Sequence, residues 1–315
     1  MPRTFEEALT ECLRRIPRGR VATCGVVARA LGDVRAAKAV ASWIREHPGI
    51  PRGHRVVRED GRPVMPGAEG ALAREDLRVL GGRVDSARFV ESLKTVDFLG
   101  VLREEQRGLG RRVIEEELRG PTEVVAGVDL AYEGDEAYVV AASVALPDLD
   151  LVEISAVKTH VDFPYIPTYL AYRESPGIEA AVGRLRRRPD VLLVDGHGRL
   201  HPTLFGVACA VGVHLDLPTI GVAKHPLTGQ VQSAREREAG ARLIRIDGVA
   251  RGYAWVPPGR GRAIYISIGH RVSLANALAV AQRSTRLGYP EALRIADRIA
   301  REMKRNQKGE RGVAR

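Results

Sequence analysis

Cysteine is nearly absent from this chain: Cys12, Cys24 and Cys209 are the whole complement. Three thiols without a CxxC spacing build neither a disulfide framework nor a thiolate metal site, and they suit a reducing cytoplasm. No apolar run reaches the roughly 18 residues of a membrane span, and the N-terminus has no charged stretch followed by an apolar one. Neither a span nor a secretory signal is therefore expected. Lysine is scarce beside arginine, yet basic side chains still outnumber acidic ones, 49 to 39, for a formal charge of +10. Such an excess points to a polyanionic partner, most often nucleic acid, although an arginine-rich coding bias would produce the same figure.

At 315 residues two domains are expected, each able to bury its own core. They are placed at 1–88 and 89–303, with a charged tail over 304–315 expected to lack structure. Thr4 caps a helix whose apolar positions Phe5, Ala8, Leu9, Cys12, Leu13 and Ile16 recur at helical spacing. Thr23 caps a second helix through Leu31, and a third covers about Arg35 to Glu46, stopping before Pro48. Asp60-Gly61, between Arg55–Arg58 and Arg62–Val64, signals a hairpin. Two helices, a tight turn and a β-wing describe a winged helix-turn-helix. Residues 1–90 hold 17 Lys and Arg against 11 Asp and Glu, so this domain is basic in its own right.

Residues 67–82 read as loop or a short helix, and a helical stretch from Ser92 to Leu118 leads into the second domain. There Glu123–Ala131, Ala137–Leu146 and Leu151–His160 are strand-like runs joined by acidic turns. Ser175-Pro176 forms an N-cap and first-turn pair opening a helix to Arg188. Val191–Asp195 is a buried strand, Thr203–Val213 a helix and Thr219–Lys224 another strand. Three meandering strands followed by parallel strands with crossover helices is a ribonuclease H-like order. The fold class is thus α/β and α+β: a winged helix-turn-helix domain, then a ribonuclease H-like domain with a mixed central sheet.

Asp129 in Val125-Ala-Gly-Val-Asp129 and Asp195 in Val191-Leu-Leu-Val-Asp195 interrupt apolar, β-rich runs. A carboxylate is costly to bury there unless it is paired or binds a cation. The strand order makes the two neighbours, with Glu174 just before the first helix, able to lean over the same point. Carboxylates so arranged bind Mg²⁺ through oxygen and leave positions for water and phosphate. Taken alone, three acids in an acid-rich domain are more often turn or cap carboxylates. The neighbouring motifs shift that weighting. Pro164-Tyr165-Ile166-Pro167 is a stiffened loop with an aromatic-aliphatic pair at its tip, a shape suited to wedging between stacked bases. Lys224, at a strand end in Gly221-Val-Ala-Lys224, is able to bind a phosphate or polarise a water. Gly196-His197-Gly198 permits close backbone approach to a ligand.

Together these segments, from about Leu93 to Met303, closely resemble the endonuclease V family of deaminated-base repair nucleases. The resemblance implies that Asp129, Glu174 and Asp195 bind Mg²⁺, with Mn²⁺ as a substitute, and that Pro164, Tyr165, Ile166 and Pro167 form a strand-separating wedge. It implies a catalytic lysine at Lys224 and a histidine near the metal at His270 in Ser267-Ile-Gly-His270; Arg173 and His201 fall at further motif positions. The implied reaction is hydrolysis of a phosphodiester one bond removed, on the 3′ side, from hypoxanthine in duplex DNA, leaving a 3′-hydroxyl and a 5′-phosphate. A single-chain enzyme is expected.

Residues about 4–85 resemble the DNA-binding domain of O6-alkylguanine alkyltransferases and their alkyltransferase-like relatives. The matching stretches are Gly19-Arg-Val-Ala-Thr-Cys-Gly25, Val34–Val40 and Ile50-Pro-Arg-Gly53-His-Arg-Val-Val57. Where that family carries its acceptor cysteine stands Gly53, and covalent capture needs a thiolate. Lys38 stands at the finger arginine, Cys24 at the tyrosine and His47 at the hinge asparagine. Lys38, Gly53, His54 and Arg55 are the expected DNA-binding positions, with O6-alkylguanine DNA as a further ligand. A competing reading makes the chain a non-catalytic alkylguanine-recognition protein, and another an inosine-specific ribonuclease. The complete acid set argues against the first, the winged helix against the second.

Overall fold

The structure, a computed structural model, describes residues 4–233 and 235–313, with side chains through 306. It divides into two compact units: Met1–Glu105 with Asp162–Pro167, and Gln106–Val161 with Thr168–Arg315. The chain therefore changes unit well beyond residue 88, inside a helix.

In the first unit, α1 (Phe5–Arg14) starts at Thr4, whose hydroxyl accepts from the Glu7 amide while Glu7 reaches back to Thr4. Strand β1 (Ala22–Thr23) leads into α2 (Cys24–Ala30), capped by Thr23, and α3 (Ala37–Glu46) follows after a short 3₁₀ turn. Buried Ala39, Val40, Trp43 and Ile44 face inward on α3, while Lys38 is exposed. Strand β2 (Val56–Val57) pairs parallel with β1. The expected hairpin is a tight turn: Gly61 has φ +84°, and Val57 forms one antiparallel bridge with Pro63. Residues 67–82 hold both the short helix α4 (Glu69–Ala73) and the first strand of a hairpin, β3 (Val79–Leu80) with β4 (Arg83–Val84).

Helix α5 spans only Phe98–Gly110, shorter than the expected Ser92–Leu118. Beyond it the backbone is held from outside: the Ile114 amide donates to His270 Nδ1 at 3.2 Å and the Leu118 amide to Asn276 Oδ1 at 2.8 Å. These partners replace the helical ladder.

The second unit is built on a mixed sheet. Strands β5 (Val124–Glu133), β6 (Glu136–Ala145) and β7 (Asp150–His160) form an antiparallel meander. Helix α6 (Leu170–Val182) crosses to β8 (Val191–Asp195), and α7 (Val207–Leu215) to β9 (Thr219–Ala223); β8 lies parallel to both β5 and β9. Then come β10 (Gln230–Val231), β11 (Arg237–Glu238), β12 (Ala241–Ile246), β13 (Val249–Trp255) and β14 (Ile264–His270). The order is β10-β12-β13-β14-β9-β8-β5-β6-β7, with β11 paired to β12. Helices α8 (Leu274–Arg283) and α9 (Glu291–Val313) finish the chain. The tail expected to be unstructured thus continues α9 as far as Val313; residues 314–315 lie outside the described residues.

Helix α6 corrects the sequence reading. It begins at Leu170, with Pro176 inside it rather than in its first turn, and ends at Val182 rather than Arg188. An interior proline removes a hydrogen bond and costs about 3 kcal/mol. The apolar burial of Ala171, Ile178, Ala181 and Val182 at helical spacing runs straight through it and offsets that cost. Gly177 permits the close seating, since a Cβ there would meet Val139 Cγ2 at 2.9 Å. Among the described residues no helix is long and apolar enough to cross a membrane.

Candidate active site

Strand register brings the two aspartates together. Val128 on β5 pairs with Val194 on β8, so Asp129 and Asp195 sit side by side one residue further on. Alternate residues share a face of a sheet. Val125, Val191 and Leu193 belong to one core cluster, and Ala126, Val128, Leu192 and Val194 to the cluster opposite. Asp129 and Asp195 therefore project on the Val125 side, the side covered by α9. Gly127, two residues before Asp129, lets α9 lie against β5: a Cβ there would stand 2.5 Å from the Ala292 carbonyl carbon and the Leu293 nitrogen. Glu174 comes from α6, whose Ile178, Ala181 and Val182 pack into the other cluster.

Each acid has a defined setting. Asp129 Oδ1 accepts from the Leu130 amide at 2.7 Å. Asp195 Oδ2 is paired with Lys224 Nζ at 2.5 Å, and its Oδ1 accepts from the Tyr289 hydroxyl at 3.2 Å. Glu174 is buried, and its Oε1 accepts from the Tyr132 hydroxyl at 2.8 Å. Arg173 lies over the Tyr132 ring at 4.3 Å. Burial, then the charge of Asp195, pushes Asp129 up to about 8. Burial pushes Glu174 up to about 7; the Tyr132 hydrogen bond opposes the rise and the Asp195 charge adds to it. Burial alone would lower Lys224, but the charge and hydrogen bond of Asp195, with Asp129 behind them, hold its ammonium above the ordinary value.

Two side chains that carry no motif in the sequence join this group. Tyr289 donates to the Val222 carbonyl at 2.8 Å as well as to Asp195, and Lys224 Nζ lies 5.1 Å from the centre of its ring. Asp297, on α9, adds its charge to the field at Asp129 and Lys224 while pairing with Arg301 at 2.9 Å. The close approach of α9 at Gly127 brings it to this end of the sheet.

Other expected positions fall elsewhere. His270 is corrected: it pairs with Thr219, the first residue of β9, whereas Asp195 lies opposite Val222 and Lys224 follows the last. It is buried at the far end of that strand, accepting from the Ile114 amide, with Asp216 Oδ1 3.4 Å from Nε2. His201 is also buried, between Thr203 Oγ1 at 2.8 Å and the Thr168 carbonyl at 3.1 Å. In the wedge segment Tyr165, at 63%, and Pro167 are exposed, while Ile166 and Pro164 are buried, so the aromatic-aliphatic tip is a single aromatic.

In the first unit Arg55 is likewise corrected: it is 7% exposed, bonded to Glu75 at 2.7 Å and to the Ile16 carbonyl at 2.6 Å. His54 Nε2 lies 3.1 Å from the same carboxylate. Against the pull of burial, these hydrogen bonds hold Glu75 down at about 2. Gly53 is sealed as well, since a Cβ there would meet Met65 Cε at 2.4 Å and Ile50 Cγ2 at 2.8 Å. Of the four expected contacts, Lys38 is the one whose side chain is exposed.

The donor chemistry fits a hard divalent cation: carboxylate oxygens, two of them raised by burial and a neighbouring charge, which a cation would relieve. Among the described residues no three His, Cys, Asp or Glu side chains are already drawn in to ligand spacing. Lys224 and Tyr132 hold two of the acids instead.

Aspartates on adjoining strand ends of a meander-plus-crossover sheet, backed by an acid from a helix, define a carboxylate nuclease on a ribonuclease H-like frame. Residues 107–298 match the family model for endonuclease V, and residues 4–79 that for the DNA-binding domain of 6-O-methylguanine DNA methyltransferase. The chain belongs to the endonuclease V family, and it is a DNA repair endonuclease of a metal-dependent kind. It is 42% identical over 197 residues to the endonuclease V of Thermofilum pendens, covering 62% of this chain and 84% of that protein. The crystal structure of endonuclease V from Streptomyces avermitilis is 33% identical with a TM-score of 0.61, covering 68% of this chain and 95% of that one. That of Ciona intestinalis endonuclease V, solved with a 24mer DNA containing an inosine followed by a ribo-adenosine, is 21% identical with a TM-score of 0.59 and shares the fold, covering 66% and 98%.

Proposed function

We propose that Asp129, Glu174 and Asp195, with Asp297 beside them, hold Mg²⁺, which Mn²⁺ can replace, and that this centre hydrolyses a phosphodiester one bond removed, on the 3′ side, from hypoxanthine in duplex DNA. The cation supplies charge neutralisation at the phosphate. Water oxygen bonds to phosphorus, the bond from phosphorus to the 3′ oxygen breaks, and that oxygen takes a proton, leaving a 3′-hydroxyl and a 5′-phosphate. Asp195 keeps the Lys224 ammonium charged and at the strand end, where it pairs with a phosphate oxygen. Tyr289 fixes Asp195 from the other side. Tyr165, exposed on a proline-bounded loop, separates the strands beside the lesion, where unpairing is easiest. The observation that carries the reading is the pairing of Asp129 and Asp195 side by side on one face, with Lys224 already on Asp195.

The first unit contributes duplex binding through α3 and its exposed Lys38, and it transfers no alkyl group, because Gly53 offers no nucleophile. O6-alkylguanine DNA is its proposed further ligand, and the enzyme acts as a single chain. An inosine-containing duplex incubated with Mg²⁺ and with EDTA tests the main claim: a metal-dependent nick on the 3′ side supports it, and its absence sinks it. Asp195→Ala should abolish nicking while leaving DNA binding in place. Equal affinity for alkylated and normal duplexes across a salt series would remove the alkylguanine claim.

A further inference from the structure

The loop 162–167 lies in sequence between β7 and α6, both strictly second-unit elements, yet it is part of the first unit. Its burial has a plain division of labour. Phe163, Pro164 and Ile166 are buried, Ile166 completely, while Tyr165 stands out at 63% exposure. Phe163 meets the Phe5 ring of α1 edge-on, with centroids 6.1 Å apart. Phe5 meets Trp43 of α3 at 5.3 Å in the same manner, and Trp43 stacks on His47 at 4.3 Å. Four rings thus run in continuous contact from the end of α3 to the residue two before Tyr165. Edge-to-face pairs are directional, so each ring restricts the next in orientation as well as position. The opposite face of α3 carries the exposed Lys38.

We propose that the first unit is the mounting of the strand-separating loop: the ring series Phe163–Phe5–Trp43–His47 positions Tyr165, so that docking of α3 on the duplex sets where that aromatic enters it. This rests on the reading of Tyr165 as the strand-separating residue. Phe163 and Phe5 are positioning residues and touch no reacting atom. A wedge is useful in proportion to its stiffness, because unstacking a base step resists it. A loop with one exposed ring and three buried anchors, two of its residues proline, meets that requirement. The proposal makes the alkyltransferase-like module part of the strand-opening device, beyond any affinity it adds.

The test compares an inosine-containing full duplex with the same inosine in a single strand, which needs no opening. Full-length Phe163→Ala and Phe5→Leu, the latter keeping an apolar group of similar size in the core, are assayed beside Tyr165→Ala. We expect all three to lose about tenfold in kcat/KM on the duplex, about 1.4 kcal/mol, and to stay within about twofold of the parent on the single strand. A loss of equal size on both substrates, or none on either, in the two mounting variants overturns the proposal. A duplex-specific loss in Tyr165→Ala alone overturns the mounting and leaves the wedge standing. If Tyr165→Ala shows no duplex-specific loss, the strand-separating reading falls and the mounting falls with it. Restored duplex nicking in Phe163→Tyr, which keeps the ring, supports a role for the ring contact over simple burial.

Discussion

Affinity for Mg²⁺ should weaken steeply as the pH falls below about 8, because a cation binds carboxylates only after their protons leave. Burial and the Asp195 charge raise Asp129 to about 8, and burial with a smaller part from Asp195 raises Glu174 to about 7. Near pH 6 both carry protons; near pH 8 Asp129 is about half ionised and Glu174 largely so. The ionised pair is then on the order of 10²–10³ times rarer at the lower pH, equivalent to about 3–4 kcal/mol of binding. The sign for stability follows the same shifts. Unfolded carboxyls ionise near pH 4, so between about 4 and 8 the unfolded chain sheds these protons first. This pair's contribution to stability is therefore intact below about pH 4 and is lost as pH rises through 7 to 8; bound cation offsets the loss. Calorimetric titration of Mg²⁺ in two buffers of different ionisation enthalpy reads the protons directly. Near pH 7 the release should be about 1.4 per ion, the sum of the two protonated fractions. Affinity that is flat from about pH 6 to 8, with no protons released, would refute the assignment of these carboxylates as ligands.

Asp297→Asn removes a charge from the field at Asp129 and should weaken Mg²⁺ activation of nicking about tenfold, read as a shifted metal titration with DNA binding unchanged. Tyr289→Phe deletes the hydroxyl shared by Asp195 and the Val222 carbonyl; the cost is about 1 kcal/mol, and single-turnover nicking should slow about fivefold. Arg55→Ala leaves Glu75 with one partner fewer in a nearly closed site, so thermal unfolding should show about 3–5 kcal/mol of destabilisation while the salt slope of DNA binding holds. Gly53→Cys puts a Cβ 2.8 Å from the β-branched methyl of Ile50, with the Met65 end group also displaced, so thermal unfolding should show about 1–3 kcal/mol of destabilisation; mass spectrometry after exposure to O6-methylguanine DNA should find no methylated protein, because a thiol crowded by these side chains has no room to take up a flipped base.

Local signals were readable in the chain. The Thr4 and Thr23 caps, the meander and the pairing of Asp129 with Asp195 each follow from spacing over a few residues or from strand order. What escaped depends on contacts made at long range. Ser175-Pro176 has the form of a helix start, and only the packing of Ala171 through Val182 on the sheet shows that the helix began earlier. His270 lies in a motif, but the antiparallel run of β14 carries it to the first residue of β9 rather than the last. Asp297 and Tyr289 have no local mark, since α9 and the segment before it reach the site through the gap at Gly127 and the carbonyl of Val222. Arg55 has the look of a DNA contact until Glu75, twenty residues away, is seen beneath it.

The backbone following Asp195 is closely approached by other backbone. A Cβ on Gly198 would fall 1.9 Å from the Ile268 carbonyl oxygen, one on Gly206 2.1 Å from that of His197, and one on Gly221 2.5 Å from the Gly198 nitrogen. An alanine scan works by deleting side chains, and here it would add them. The most sensitive positions around the carboxylates would then be those with nothing to remove, and a map of the centre drawn from truncations would leave its supporting frame blank.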